Sequence, residues 1–304
     1  MTPTHELVTA DGRVIKYCLY GDEAGVPVIA HHGTPGSRWE RPDVIAAIEE
    51  TGLRVLLHGR PGYGSDRQPG RTVADVAADV ELLADAQGWD RFAVTGFSGG
   101  GPHALATAAL LPDRVIRCST VASIAPPGTA AFPALDWAAD AGRGEAFLRE
   151  QLGRRGPEIL REFGADAPDR GGAVVSEVLD GCGEVVSGAP DGGGEYATDA
   201  PEGDRELAGD APDGGRYERM RAACVDGLEG WIDDYLALSK PWAFEPRDIG
   251  VPVDVWFGSE DDNSTPAHAE WLLANLPKAT PHKYVGGHDP DDTVQREIFA
   301  ALRG

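Results

Sequence analysis

The sequence predicts an α/β fold, a mainly parallel sheet with helices on both faces, and three observations carry that reading. Short, continuously apolar runs such as VPVIAH (26–31) suit strands buried on both faces. Stretches with apolar residues at helical spacing separate these runs. Each run empties into a loop rich in turn residues before the next helix, and that alternation builds parallel sheets with right-handed crossovers.

In order along the chain, Glu6–Ala10 and Arg13–Tyr20 alternate around Asp11-Gly12, a hairpin signal. The strand at Val26–His31 leads into His32-Gly33-Thr34-Pro35-Gly36-Ser37. A helix is expected from about Trp39 to Glu50, then a buried strand at Leu53–Leu57 and a turn-rich loop, GRPGYGSDRQPG. Thr72 stands where an N-cap is expected for a helix over Val73–Gln87. The stretch RFAVTGFSGGGPHALATAALL (91–111) follows, and then a strand from Val115 to about Ile124. The rhythm breaks at Ala125-Pro126-Pro127-Gly128, and 126–239 reads as an inserted cap. Within it, 164–215 is acidic and rich in Gly and Pro, with the near-repeats ADAPD and DAPDGG; such a tract buries too little apolar surface to offset its ordering entropy. A short local element is expected at Val174–Val186, and a helix at Arg216–Leu238 with Trp231, Tyr235 and Leu238 on one face. The βα rhythm returns with a strand at Val251–Phe257, a helix at Pro266–Leu276, a strand at Pro281–Val285 and a helix at Asp292–Leu302. The core is therefore expected in 1–125 and 240–304.

The 91–111 stretch organises the rest. An apolar β-branched run turns sharply at Gly96-Phe97-Ser98-Gly99-Gly100 and continues as an alanine-rich helix. G-x-S-x-G between a strand and a helix is a nucleophile elbow, in which a strained turn pushes the serine hydroxyl outwards. Ser98 then needs a base, and the base needs an orienting acid. Of the histidines that follow, His288 comes after a strand end in a glycine-rich loop, where catalytic groups of parallel sheets gather. His103 lies in the elbow helix, His268 in a helix expected to be exposed, and His282 near a strand start at the sheet edge. Three carboxylates, Glu260, Asp261 and Asp262, follow the Val251–Phe257 strand; Asp261 is the expected acid, with Asp262 the alternative. The backbone N–H groups of Gly99 and Thr34 are the expected oxyanion donors. His31 and His32 read as loop-holding residues, since no third metal ligand lies nearby.

Charge narrows the function classes. With 27 Lys+Arg against 50 Asp+Glu, the formal net charge is −23. No basic surface is available to neutralise phosphates, which argues against nucleic acid and anionic membranes as partners. Lysine occurs only at 16, 240, 278 and 283, and an acidic, lysine-poor surface suits a cytosol of high salt; a halophilic source is expected. Cys18, Cys118, Cys182 and Cys224 form no C-x-x-C pair and read as free thiols. The N-terminus shows no leader pattern, and no apolar run approaches the ~20 residues that cross a bilayer, so a cytoplasmic chain is expected. No cofactor and no metal are expected.

Taken in order, HHGTPGSR, GRPGYGSDR, GFSGGGPHALA, GSEDD and GGHDP resemble the α/β-hydrolase superfamily. The H-G-x-P-G portion is similar to that of proline iminopeptidases and epoxide hydrolases, and serine at position 98 argues against epoxide hydrolase or dehalogenase chemistry. The resemblance implies an eight-stranded sheet with a lid between strands six and seven. It also implies Ser98 as nucleophile, Asp261 as acid, His288 as base, and Thr34 with Gly99 as oxyanion donors. The expected activity is hydrolysis of a small-molecule carboxylic ester through an acyl-enzyme. The alternatives are an aminopeptidase or amidase of the proline-iminopeptidase kind, a perhydrolase or acyltransferase, and a ligand receptor that keeps the pocket without turnover.

Overall fold

The structure is a computed structural model, and it describes residues 3–133, 141–162, 223 and 227–303. Six strands come from the first half of the chain: β1 (His5–Val8), β2 (Val14–Gly21), β3 (Val26–His31), β4 (Leu53–His58), β5 (Phe92–Phe97) and β6 (Val115–Val121). Two more, β7 (Val253–Gly258) and β8 (Ala279–Tyr284), come from near its end. They form one eight-stranded sheet in the order β1-β2-β4-β3-β5-β6-β7-β8. β2 runs antiparallel to β1 and β4, and all other neighbours are parallel. The expected acidic tract at 164–215 and the element at Val174–Val186 lie outside the described residues, as do Cys182 and Cys224; Cys18 and Cys118 are buried and unbridged.

Helices cover both faces: α1 (Pro42–Thr51), α2 (Val76–Gln87), α3 (Gly101–Leu110), α4 (Ala141–Glu162), α5 (Glu229–Leu238), α6 (Pro266–Asn275) and α7 (Asp292–Ala301). On one face Val80, Leu83, Leu105 and Leu272 pack over Ile29, Leu56 and Val94. On the other, Ile48 of α1 and Phe299 of α7 pack over Val28, Val55 and Leu57. Each fully buried aliphatic side chain of this kind stabilises the fold by about 1.5–3 kcal/mol. Period-two burial appears in β1, at the sheet edge, and in stretches of β2 beside it, whereas the central β5 is buried on both faces. α4 packs on α5, and Arg149 pairs with Glu229 at 3.0 Å.

Several boundaries differ from the sequence reading for local reasons. α1 starts at Pro42 rather than Trp39: the proline fixes the first helical φ and holds Arg41 extended, at φ −68° and ψ 151°. Thr72 does not cap α2. Its N–H and hydroxyl both donate to Asp75 Oδ2, at 2.6 and 2.8 Å, and the helix begins only at Val76. The connection between β1 and β2 is also longer than a two-residue turn, closing with Thr9 N–H to the Arg13 carbonyl at 2.9 Å.

Candidate active site

β5 runs up the middle of the sheet between β3 and β6, so Ser98, the first residue past its end, emerges at the carboxyl rim. Ser98 has φ +51°, a left-handed conformation that costs a non-glycine residue of order 1–3 kcal/mol. Two glycines make the turn possible. A Cβ on Gly96 would stand 2.2 Å from the Gly100 carbonyl oxygen, and one on Gly100 would stand 2.3 Å from that of His31. A 3-10 turn over Ser98–Gly100 then feeds α3, whose first N–H groups and positive dipole end lie beside Ser98.

The loops that carry Asp261 and His288 are joined across the ends of β7 and β8. Ser259 N–H donates to the Tyr284 carbonyl and Glu260 N–H to that of Gly286, both at 2.9 Å. Gly258 leaves no room for a side chain, since its Cβ would meet the Gly287 carbonyl oxygen at 2.2 Å. This brings Asp261 Oδ2 within 2.9 Å of His288 Nδ1, and both residues are buried. The other oxygen, Oδ1, accepts from the backbone N–H of Asn263 and Ser264 at 2.9 and 2.8 Å, which fixes the carboxylate. Asp262 and Glu260 are exposed. With Nδ1 facing a carboxylate, the ring carries its proton there and leaves Nε2 as the basic nitrogen. The Phe97 ring lies 5.1 Å from the His288 ring, centroid to centroid.

The loop after β3 passes over the same spot. A Cβ on Gly33 would lie 3.5 Å from Ser98 Cβ, and one on Gly99 would lie 2.4 Å from Thr34 Oγ1. Thr34, Ser98 and His288 line one cavity of about 170 Å³, together with Phe97, Ile298 and Phe299. A buried ionic cluster lies behind the loop. Thr34 Oγ1 donates to Asp234 Oδ2 at 2.7 Å and accepts from Arg60 Nη2 at 2.9 Å. Arg60 reaches Asp234 Oδ2 at 2.5 Å and the Gly33 carbonyl at 3.0 Å, and it also bonds the His32 carbonyl. Arg71 bonds the other Asp234 oxygen. Burial by itself raises the Asp234 pKa, but Arg60 and Arg71 outweigh it and hold the carboxyl well below the usual range.

Four further histidines lie beneath the elbow. His31 Nδ1 meets His58 Nε2 at 3.2 Å, His31 Nε2 meets Thr107 Oγ1 at 3.3 Å, and His103 Nδ1 meets the Gly99 carbonyl at 2.9 Å. His32 Nε2 accepts from Arg60 N–H at 3.2 Å. Burial first, then neighbouring cationic groups, pushes all four towards the neutral form, His58 to about 3. Among the described residues no group of three or more His, Cys, Asp or Glu is placed to hold a metal ion. His268 lies in a helix expected from sequence to be exposed, but its side chain is buried, and its Nδ1 accepts from Ala125 N–H at 2.9 Å. His282 stacks on Trp256 and bonds Asp254 at 2.9 Å in the edge strand β8.

A strained serine at a helix N-terminus, sharing a cavity with a carboxylate-held imidazole, is an arrangement suited to acyl transfer. The architecture is the α/β-hydrolase fold, and residues 26–165, just under half of the chain, match the model of the alpha/beta hydrolase fold. Over 123 residues the chain is 34% identical to a non-heme chloroperoxidase from Streptomyces lividans, a match that spans 40% of this chain and 45% of that one. The matched stretch is thus less than half the length of that relative. Among solved structures, a hydrolase from Pseudomonas aeruginosa superposes with a TM-score of 0.69 at 20% identity, covering 99% of this chain and 98% of the other. A thermophilic esterase from Thermogutta terrifontis superposes with a TM-score of 0.60 at 19% identity, over 99% and 96%. At these identities the structural likenesses speak for the fold. Among the described residues no helix is long and apolar enough to cross a membrane.

Sequence reasoning did not single out Arg60, Arg71 or Asp234. A signal was present: Asp233-Asp234 interrupt an otherwise apolar helical stretch, WIDDYLAL, and an unpartnered carboxylate there would be costly. Both are buried: Asp233 faces Arg67 at 2.9 Å, and Asp234, fully sealed, faces Arg60 and Arg71.

Proposed function

We propose that the chain is a serine hydrolase that cleaves a carboxylic ester, or a related acyl bond, of a small molecule. The observation that carries this reading is that Ser98 and His288 line one cavity while Asp261 grips the far nitrogen of His288. Ser98 Oγ attacks the carbonyl carbon as His288 Nε2 takes its proton. The oxyanion that forms sits against the backbone N–H groups of Gly99 and Thr34, and Asp261 balances the imidazolium. Collapse breaks the bond to the alcohol, which leaves with the proton from Nε2. Water then enters, gives its proton to the same nitrogen and releases the acid. No cofactor takes part in these steps.

Inner walls from Val44, Leu57, Ile298 and Phe299 fit a compact apolar acyl or alcohol group. Segment 126–239 is proposed as the cap over this site. Replacing Ser98 with Ala and following short p-nitrophenyl esters tests the assignment: turnover should drop by several orders of magnitude, and undiminished turnover refutes it. The Streptomyces lividans match favours a second reading, in which hydrogen peroxide takes the place of water on the acyl-enzyme and yields a peracid. Halide oxidation that depends on added carboxylic acid and disappears in the Ser98→Ala protein would support it.

A further inference from the structure

The Arg60–Asp234–Arg71 cluster is buried and lies on the face of the Thr34 loop away from solvent, with Arg60 and Asp234 fully inaccessible. Two guanidiniums against one carboxylate leave a surplus positive charge there, which bare packing does not require; apolar residues would fill the space at lower desolvation cost. What the cluster holds is specific. Thr34 Oγ1 is used on both sides, donating to Asp234 and accepting from Arg60, across 200 and 26 positions of sequence. Arg60 also takes the carbonyls of His32 and Gly33. Only the Thr34–Pro35 peptide is cis among the described residues, so the Gly33–Thr34 peptide is trans. In a planar trans peptide the N–H points opposite to the C=O. Fixing the Gly33 carbonyl on Arg60 therefore turns the Thr34 N–H to the side away from Arg60, while the Thr34 hydroxyl anchor stops the loop from sliding past Gly99.

We propose that Arg60 and Asp234 are positioning residues: through the Thr34 hydroxyl and the Gly33 carbonyl they set the peptide that supplies the second oxyanion donor. This rests on the serine hydrolase reading. It also ties α5, which carries Asp234, to the reacting centre, so the last helix of the proposed cap segment sets the geometry of the Ser98 site.

Thr34→Val keeps the backbone N–H and the side-chain shape but removes both hydrogen bonds. With p-nitrophenyl acetate, kcat should fall at least tenfold while KM stays within threefold, because the oxyanion donor acts on the transition state rather than on bound ester. Thr34→Ser restores the hydroxyl and should return kcat to within threefold of the parent. Should the valine variant not fold, Thr34→Ala gives the same comparison against Thr34→Ser. Asp234→Asn, which keeps the shape but loses the charge, should also lower kcat more than it raises KM. A parental kcat in the valine or alanine variant overturns the proposal, as does a serine variant that falls as far as they do. If the unsubstituted protein neither turns over esters nor is labelled at Ser98 by a fluorophosphonate, the hydrolase reading fails and this proposal with it. If it is active and the Thr34 variants match it, the positioning role alone is lost.

Discussion

His288 Nδ1 stands 2.9 Å from Asp261 Oδ2, although the two residues are 27 positions apart and leave from different strands. Asp262, one step along the chain, faces solvent. The choice between two adjacent carboxylates is made by the loop. The N–H groups of Asn263 and Ser264 grip Asp261 Oδ1 and leave Oδ2 aimed at the imidazole.

That geometry separates the two acids experimentally. Asp261→Asn should lower kcat on p-nitrophenyl esters by a factor of about 10²–10⁴, since the imidazole loses the group that orients it and balances its charge. Asp262→Asn should leave kcat within threefold. Steady-state kinetics of the two variants decide the matter, and the reverse order would move the role to Asp262.

The elbow makes a stability prediction. An alanine at Gly96 drives its methyl to 2.2 Å from the Gly100 carbonyl oxygen, in backbone that cannot move without shifting Ser98. Overpacking of this kind costs about 1–3 kcal/mol. Urea denaturation of Gly96→Ala should show a lower midpoint, with activity lost beyond what unfolding explains. Gly12→Ala is the control: nothing lies within 4 Å of its Cβ, though φ is +88° and some strain remains. It should lower stability without touching kcat.

Acid should unfold the protein through its buried histidines. His31, His32, His58 and His103 all have pKa values pushed down in the folded state, chiefly by burial, with His58 at about 3 and His268 at about 4. Unfolded, each returns to about 6.5. Below that pH the unfolded chain binds protons that the folded chain refuses. Their stabilisation is therefore complete above pH 6.5 and is lost as pH falls towards the folded values. Each such group contributes up to about 1.4 kcal/mol per pH unit within that window. Asp234, held low by its arginines, acts in the same direction below about pH 4. Urea midpoints at pH 7.0, 6.0 and 5.0 should fall steadily, with an uptake of more than two protons on unfolding at pH 5.0; equal midpoints at pH 7.0 and 5.0 would contradict the neutral cluster.

Salt should stabilise. A formal net charge of −23 makes the folded chain repel itself, and ions screen that repulsion within a Debye length of about 3 Å at 1 M. Tm should rise between 0.1 M and 2 M KCl, and activity should be retained. A Tm that falls with added KCl would sink the halophilic reading.

The sequence by itself determined the elbow and the alternating core. Gly96-x-Ser98-x-Gly100 has a spacing dictated by two backbone clashes, and β3 and β5 are apolar because both their faces are covered. These are short-range facts, legible because each depends on residues a few positions apart or on periodicity. The placement of His288 in the loop after β8 was legible for a similar reason, as a histidine after a strand end. The tertiary structure decided the rest. Only loop geometry distinguishes Asp261 from Asp262, and only folding brings Asp234 beneath Thr34, 200 positions away. His268 reads as part of an exposed helix until the Ala125 N–H is found bonded to it. In each case the deciding quantity is which polar groups are sealed from water together, and that is a property of packing in three dimensions.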